Sequence, residues 1–370
     1  MAVYITKRLL AISLFLFALW GCVKTPTEPA KNKHINLDTL SLPFPESGAM
    51  VLCEGLWNYT NSDIYLYDYS TSAMIESYFL NATNSYLGDI VSDVAMTDNQ
   101  MIFTATGTKQ LILIDHRTPA ILHKINIDYD RAAPRSITLN DGNYYYTDLY
   151  RDEVRYGSFA DSLSTPKGKY ETGPAPEDII AYNEKLFIAN SGFGDYRQED
   201  KNAGTLQIID IATGQSDYVY IGPNLIKLEL DTADNYIACG YLNTPTGVNN
   251  GEPGGIVFVD LTTHQVKQQM YIKDFTDVQL SQNDGRIYYL TKEGVYTMHD
   301  IYSRALPQLI IENTTKDIWY SLSYNEQKQE LWIGNARNYQ SDGEVIVTDE
   351  QGQIIRRHEV GKNPSNVVFY

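Results

Sequence analysis

Leu206-Gln207-Ile208-Ile209-Asp210 is a short apolar strand pattern that stops on an aspartate. The pattern recurs outward in both directions. Upstream lie Ile64-Tyr65-Leu66-Tyr67-Asp68 and Leu111-Ile112-Leu113-Ile114-Asp115. Downstream lie Ile256-Val257-Phe258-Val259-Asp260, Val295-Tyr296-Thr297-Met298-His299-Asp300 and Val345-Ile346-Val347-Thr348-Asp349. The aspartates are 47, 95, 50, 40 and 49 residues apart. The long step is a double one, with Val154-Arg155-Tyr156-Gly157-Ser158-Phe159 as a degenerate copy in its middle. Seven copies about 47 residues apart point to a repeat architecture.

Each copy follows a second β-rich run: Val51–Gly55, Met101–Thr106, Tyr144–Asp148, Leu186–Asn190, Tyr236–Gly240, Ile287–Thr291 and Leu331–Asn335. A further run lies ahead of all but the first: Val91–Met96, Pro134–Leu139, Pro176–Ala181, Leu225–Leu230, Phe275–Leu280 and Ile318–Ser323. Outer strands fit at Ile121–Ile127, Asp217–Ile221, Val266–Ile272 and Ile354–Val360. Turn residues such as Asn140-Asp141-Gly142 separate the runs. Four short strands per unit of this length predict an all-β, seven-bladed β-propeller with four-stranded blades. The first unit lacks its innermost strand, and Pro364-Ser365-Asn366-Val367-Val368-Phe369-Tyr370 has that pattern with no blade after it. The C-terminal strand is therefore expected to close the ring, removing two open edges. Residues 49–370 divide into seven units of about 46 residues.

The chain has 370 residues, 46 acidic against 29 basic, for a formal charge of −17. Such a balance has little pull on nucleic acid or an anionic lipid surface. Three cysteines cannot make a disulfide framework. At the N-terminus, Lys7 and Arg8 precede the apolar stretch Leu9 to Trp20. Residues 1–21 thus read as an export signal. Leu19-Trp20-Gly21-Cys22 resembles a bacterial lipobox, with Cys22 as the lipidated thiol, and residues 22–48 read as an extended tether. The expected location is the outer membrane through this lipid, in either leaflet orientation.

Ile221-Gly222-Pro223, Thr172-Gly173-Pro174-Ala175-Pro176-Glu177 and Val360-Gly361-Lys362-Asn363-Pro364 resemble the blade junctions of YncE-like (YVTN-type) propellers. Leu186 to Gly194 resembles a characteristic strand and loop of that group, and Tyr146 to Tyr150 fits the same slot. Cys53-Glu54-Gly55 stands where many lipoprotein members carry Asn-Glu-Gly, Cys53 being the departure. The resemblance covers roughly residues 49–370. Lipidated members are similar to BtuG-type propellers. That likeness implies a corrinoid ligand handed to a TonB-dependent receptor, with no ligand-contacting residue transferable position by position.

In a propeller, loops joining second to third strands share a face with the blade junctions, around the mouth of a central channel. Here the long ones are 54–62, 191–204, 241–254 and 336–343. They carry Trp57, Tyr59, Phe193, Tyr196, Arg197, Tyr241, Asn243, Arg337 and Tyr339, with Tyr150 and Arg151 nearby. Junctions add Asp93, Arg135, Glu177, Asp178, Asp277, Trp319 and Tyr320. Aromatic and arginine side chains at loop tips give rigid contact area with polar ends. Trp319 fits channel filling equally well. The junction carboxylates suit either hydrogen bonding between blades or a cation; the first is the expectation, and no metal is assigned.

Among six histidines, no zinc-binding spacing occurs, and no Gly-x-Ser-x-Gly nucleophile elbow is present. The strand-ending aspartates fit turn chemistry. Cys53 and Cys239 fall in blades far apart and are expected as buried free thiols. The expectation is a binding protein without a cofactor or catalytic residues, capturing a small, corrinoid-like molecule. The alternatives are a propeller enzyme, lactonase-like or quinone-dependent, and a protein- or glycan-interaction module.

Overall fold

Strands that alternate apolar residues toward two neighbours need a neighbour on both faces, and a ring of blades supplies one. In the computed structural model, described for residues 44–115, 120–127, 129–158, 166–193, 196–242 and 253–370, seven four-stranded antiparallel sheets form that ring. Blade 2 runs Val91–Met96, Gln100–Ala105, Gln110–Asp115, Ala120–Asn126 from the inside out. Blade 3 runs Pro134–Asn140, Asn143–Asp148, Glu153–Ser158, Gly168–Glu171, and blade 4 runs Pro176–Tyr182, Lys185–Asn190, Thr205–Asp210, Ser216–Tyr220. Blade 5 is Leu225–Asp231, Tyr236–Tyr241, Gly254–Asp260, Val266–Ile272. Blade 6 is Phe275–Leu280, Ile287–Thr291, Gly294–Met298, Gln308–Glu312. Blade 7 is Ile318–Asn325, Glu330–Arg337, Gly343–Asp349, Ile354–Val360.

Blade 1 joins both ends of the chain. Its inner strand is Pro364–Phe369, followed outward by Gly48–Cys53, Asp63–Asp68 and the short Ala73–Ile75. The closing pair is antiparallel, with Met50 opposite Val368 and Val51 opposite Val367. Phe44 already packs on Tyr78 and Tyr370, so the chain docks a few residues ahead of the expected end of its tether. A six-residue helix, Tyr78–Thr83, follows blade 1 and buries Tyr78 and Phe79. It is too short to show a helical period in the sequence.

The core lies between blades. Seven apolar clusters each join one pair of neighbours: Met50, Leu52 and Phe103 fill the seam between blades 1 and 2, and Val51, Trp332 and Val367 the seam between 7 and 1. Successive residues of one strand serve opposite seams, as Ile102 turns to blade 3 while Met101 and Phe103 turn to blade 1. The strand-ending aspartates act as turn acceptors: Asp68 takes the Ser70 N–H, Asp210 the Thr213 N–H, Asp260 the Thr262 and Thr263 N–H groups, and Asp349 the Gln351 N–H. The Thr263 N–H, outweighing slight burial, holds the Asp260 carboxyl well below its ordinary range. Cys53 and Cys239 are buried and unpaired with each other.

Candidate functional site at the channel mouth

The innermost strand of every blade carries an irregularity at its start. The register skips Ser92, Arg135, Glu177, Ile226, Thr276, Tyr320 and Ser365. A bulge leaves its extra residue unpaired and re-aims the side chain. In three blades that residue is charged or phenolic, and these three converge with Glu54, which follows the second strand of blade 1. Arg135 Nε donates to Glu177 Oε2 at 3.0 Å, and its Nη1 donates to Glu54 Oε1 at 3.3 Å. Tyr320 donates its hydroxyl to the other oxygen of Glu54 at 2.8 Å. Blades 1 and 3 are not neighbours, so the Arg135–Glu54 contact spans the channel mouth. Burial works against the guanidinium charge, but Glu177 and then Glu54 outweigh it and raise the Arg135 pKa. The Arg135 side chain keeps 31% of its surface open to solvent, against 15% for Glu177 and 8% for Glu54.

One residue further along each inner strand, a second ring ties blades together. Asp93 accepts from the Ile137 N–H at 2.9 Å, Asp178 from Leu228 at 2.9 Å and Asp277 from Leu322 at 2.8 Å. Each carboxylate thus holds the next blade's inner strand, as expected for hydrogen bonding between blades. Ser136 Oγ lies 2.8 Å from Asp93 and 2.9 Å from Asp178. A hydroxyl has one proton to give, so both contacts are hydrogen bonds only when one carboxyl is protonated. Burial, opposed by the Ile137 N–H and reinforced by Asp178, raises the Asp93 pKa. On the next blade, Lys227 Nζ lies 3.3 Å from Glu229 Oε1 and 3.8 Å from Asp277. Burial, only partly offset by Lys227, pushes the Glu229 carboxyl up to about 7. Among the described residues, no three His, Cys, Asp or Glu side chains gather as a metal-ligand set.

Around the mouth, Trp57, Tyr59, Tyr150, Tyr196 and Tyr339 are exposed, with Tyr196 at 85%. Tyr339 packs edge-on to Tyr320, and Phe193 sits between Tyr150 and Tyr196, 5.8 Å from each ring centroid. Arg197 grips Asp152 through two bonds of 2.7 Å, clasping the blade 4 loop to blade 3. Arg151 is spent on buried Glu153, and Arg337 on Glu359.

Two sequence candidates are corrected. Tyr241 is 2% exposed within the seam between blades 4 and 5. Trp319, 6% exposed, fills the seam between blades 6 and 7 rather than the channel. Both stand at strand ends, where one residue of register decides between seam and face. Asn243 and Cys22 lie outside the described residues. Glu54 enters the sequence reading only within the Cys53-Glu54-Gly55 match, not as a site residue, and Lys227 and Glu229 do not enter it. The register of Glu54 beside a blade junction emerges only when the ring closes. The described histidines are dispersed: His123 is exposed on the outer strand Ala120–Asn126, His264 faces Asp217 and Lys185, His358 packs on the Tyr67 ring, and His299 is at a turn beside Asp300.

No family model and no curated protein matches the chain. Solved structures do. The quinonprotein alcohol dehydrogenase-like protein of Bacteroides thetaiotaomicron superimposes with a TM-score of 0.64 at 14% identity, over 88% of this chain and 79% of that one. A functionally unknown protein of Desulfotomaculum acetoxidans gives 0.61 at 13%, over 87% and 98%. Hydrazine synthase of Kuenenia stuttgartiensis gives 0.60 at 12%, over 76% and 95%. At these identities the likeness establishes the seven-bladed β-propeller and nothing finer.

Proposed function

We propose that this propeller is a ligand-binding lipoprotein of a Gram-negative cell envelope, anchored through Cys22, that captures a small molecule over its channel mouth. The observation that carries the reading is the convergence of Arg135, Glu177, Tyr320 and Glu54 beneath a rim of exposed aromatic side chains. Those groups are fixed by bulges and blade junctions before any ligand arrives, so little ordering is lost on binding. The rim suits the flat face of a ring system, and the centre suits polar groups on its edge.

Within this reading, the favoured ligand is a corrinoid, passed on to a TonB-dependent receptor. The resemblance of the junctions to YncE-like propellers, whose lipidated members are similar to BtuG-type propellers, supports that choice, as does a mouth able to meet amide groups. Calorimetric titration of residues 41–370 with cyanocobalamin tests it. A saturable heat is expected, reduced at least tenfold in affinity by Trp57→Ala together with Tyr339→Ala. Absence of heat at high micromolar corrinoid would remove the corrinoid. A stable receptor complex without small-molecule affinity would select the protein-interaction reading instead.

A further inference from the structure

The channel mouth holds an arginine that spends only part of its hydrogen-bonding capacity on the protein. A guanidinium carries five N–H donors. Arg135 uses one on Glu177 and one on Glu54, leaving three without a partner among the described residues. Glu177 uses Oε2 on Arg135, and its Oε1 has no partner among the described residues. The two groups are in contact at 3.0 Å, so unused donors and an unused acceptor are neighbours. Both side chains keep a solvent-open fraction at the mouth.

The same bulged position is filled in other blades by Ser92, Ile226, Thr276 and Ser365, so the fold itself does not require charge there. An ion network in a confined site is a weak source of stability compared with apolar packing. Its presence at only some of the seven equivalent positions calls for another role.

Resting on the ligand-binding reading above, we propose that the Arg135–Glu177 pair is a carboxamide-reading subsite. A primary amide offers one carbonyl acceptor beside one N–H₂ donor. The carbonyl would accept from Arg135, and the N–H₂ would donate to Glu177 Oε1. The electrostatics select the same class. Arg135 with Glu54 and Glu177 carries a net charge of −1, in a chain of −17, which disfavours carboxylates and phosphates. A sugar hydroxyl both donates and accepts, but through one oxygen, whereas a primary amide spreads the two roles over two atoms, as the pair does. A carboxylate or phosphate has no N–H to give Glu177 Oε1, and a site that leaves that acceptor unpaired once the ligand covers it discriminates against such ligands.

The test uses the intact chain and small probes, so it does not depend on the corrinoid. The Arg135 side-chain Nε–H resonance, assigned with Arg135→Lys, is followed by NMR during titration with acetamide, acetate or glucose at matched concentration. A saturable shift with acetamide, at least fivefold larger than with either other probe, is expected. Glu177→Gln should abolish that preference and bring acetate level with acetamide, while the remaining spectrum stays folded. An equal response to acetate or glucose, or none to acetamide, would overturn the proposal. Failure of cyanocobalamin to bind, with the acetamide preference intact, would instead remove the corrinoid and leave the subsite.

Discussion

Tyr370 and Gly48 exchange two backbone hydrogen bonds, at 2.9 and 3.1 Å, so the last residue of the chain is paired with the first strand of the propeller. Deleting Pro364 to Tyr370 would expose the Gly48–Cys53 strand along one edge and strip Val367 from the seam between blades 7 and 1. The truncated chain is expected to aggregate, or to melt at least 10 °C lower by circular dichroism with a broadened transition. A monomer with unchanged melting would contradict ring closure by this strand.

The seam beside that closure has a second fastening. The Arg356 guanidinium lies 4.6 Å from the Tyr67 ring centroid and 5.4 Å from that of Trp332, and it pairs with Glu330. Glu330 also accepts from Tyr69 and the Trp332 indole. Arg356→Ala leaves that buried carboxylate without its cation and should cost about 3–5 kcal/mol in urea unfolding. Arg356→Lys keeps the charge without the planar fork and should fall between. A loss under about 1 kcal/mol for the alanine variant would show the pair to be inert, as exposed pairs often are.

Asp277 joins blade 6 to blade 7 through the Leu322 N–H and is not part of the mouth cluster. Asp277→Ala should cost about 1–3 kcal/mol, because the Leu322 N–H is left buried and unpaired. Ligand affinity should stay within twofold of the parent. An intact stability with lost binding would move Asp277 from the scaffold to the site.

Two buried carboxyls set a pH dependence. Burial raises Asp63, against the pull of the Ile64 and Leu80 N–H groups, to about 7, and Glu229 is likewise pushed up to about 7. Unfolded, both release their protons near pH 4. Between about pH 4 and 7 the folded state binds more protons, so stability falls as pH rises through that window and levels off above it. Between pH 5 and pH 8 each group should contribute on the order of 2–3 kcal/mol to that fall. Urea midpoints are therefore expected to drop from pH 5 to pH 8, and Asp63→Asn with Glu229→Gln to flatten the drop. A midpoint that climbs with pH in the parent would contradict these assignments.

The blades were readable because each strand is bounded by its own chemistry. Alternating apolar residues, an aspartate that accepts turn N–H groups and a regular spacing all repeat, so errors in one copy are corrected by the others. Outer strands were harder. Gly168–Glu171 and Ala73–Ile75 are short and carry little apolar pattern, so the sequence does not mark them; Gln308–Glu312, with Ile311 turned into the seam between blades 6 and 7, goes unread among the loops around it. The mouth was only half visible. Arg135, Glu177 and Tyr320 occupy the expected junctions, but nothing in their neighbours announces a bulge that turns them toward one another. Glu54 joins them from a different element, brought there when the Gly55 N–H bonds the Lys362 carbonyl across the ring closure. Such a contact between residues some three hundred positions apart has no local sequence signal.

Hydrogen–deuterium exchange of the propeller with and without cyanocobalamin tests the central claim, that a ligand sits over the channel mouth. Protection is expected in residues 54–62, around Arg135 and Glu177, and in residues 336–343, with outer strands such as Val266–Ile272 unchanged. Protection confined to the outer strands, or to the turns after the third strands, would place the ligand elsewhere and contradict the account.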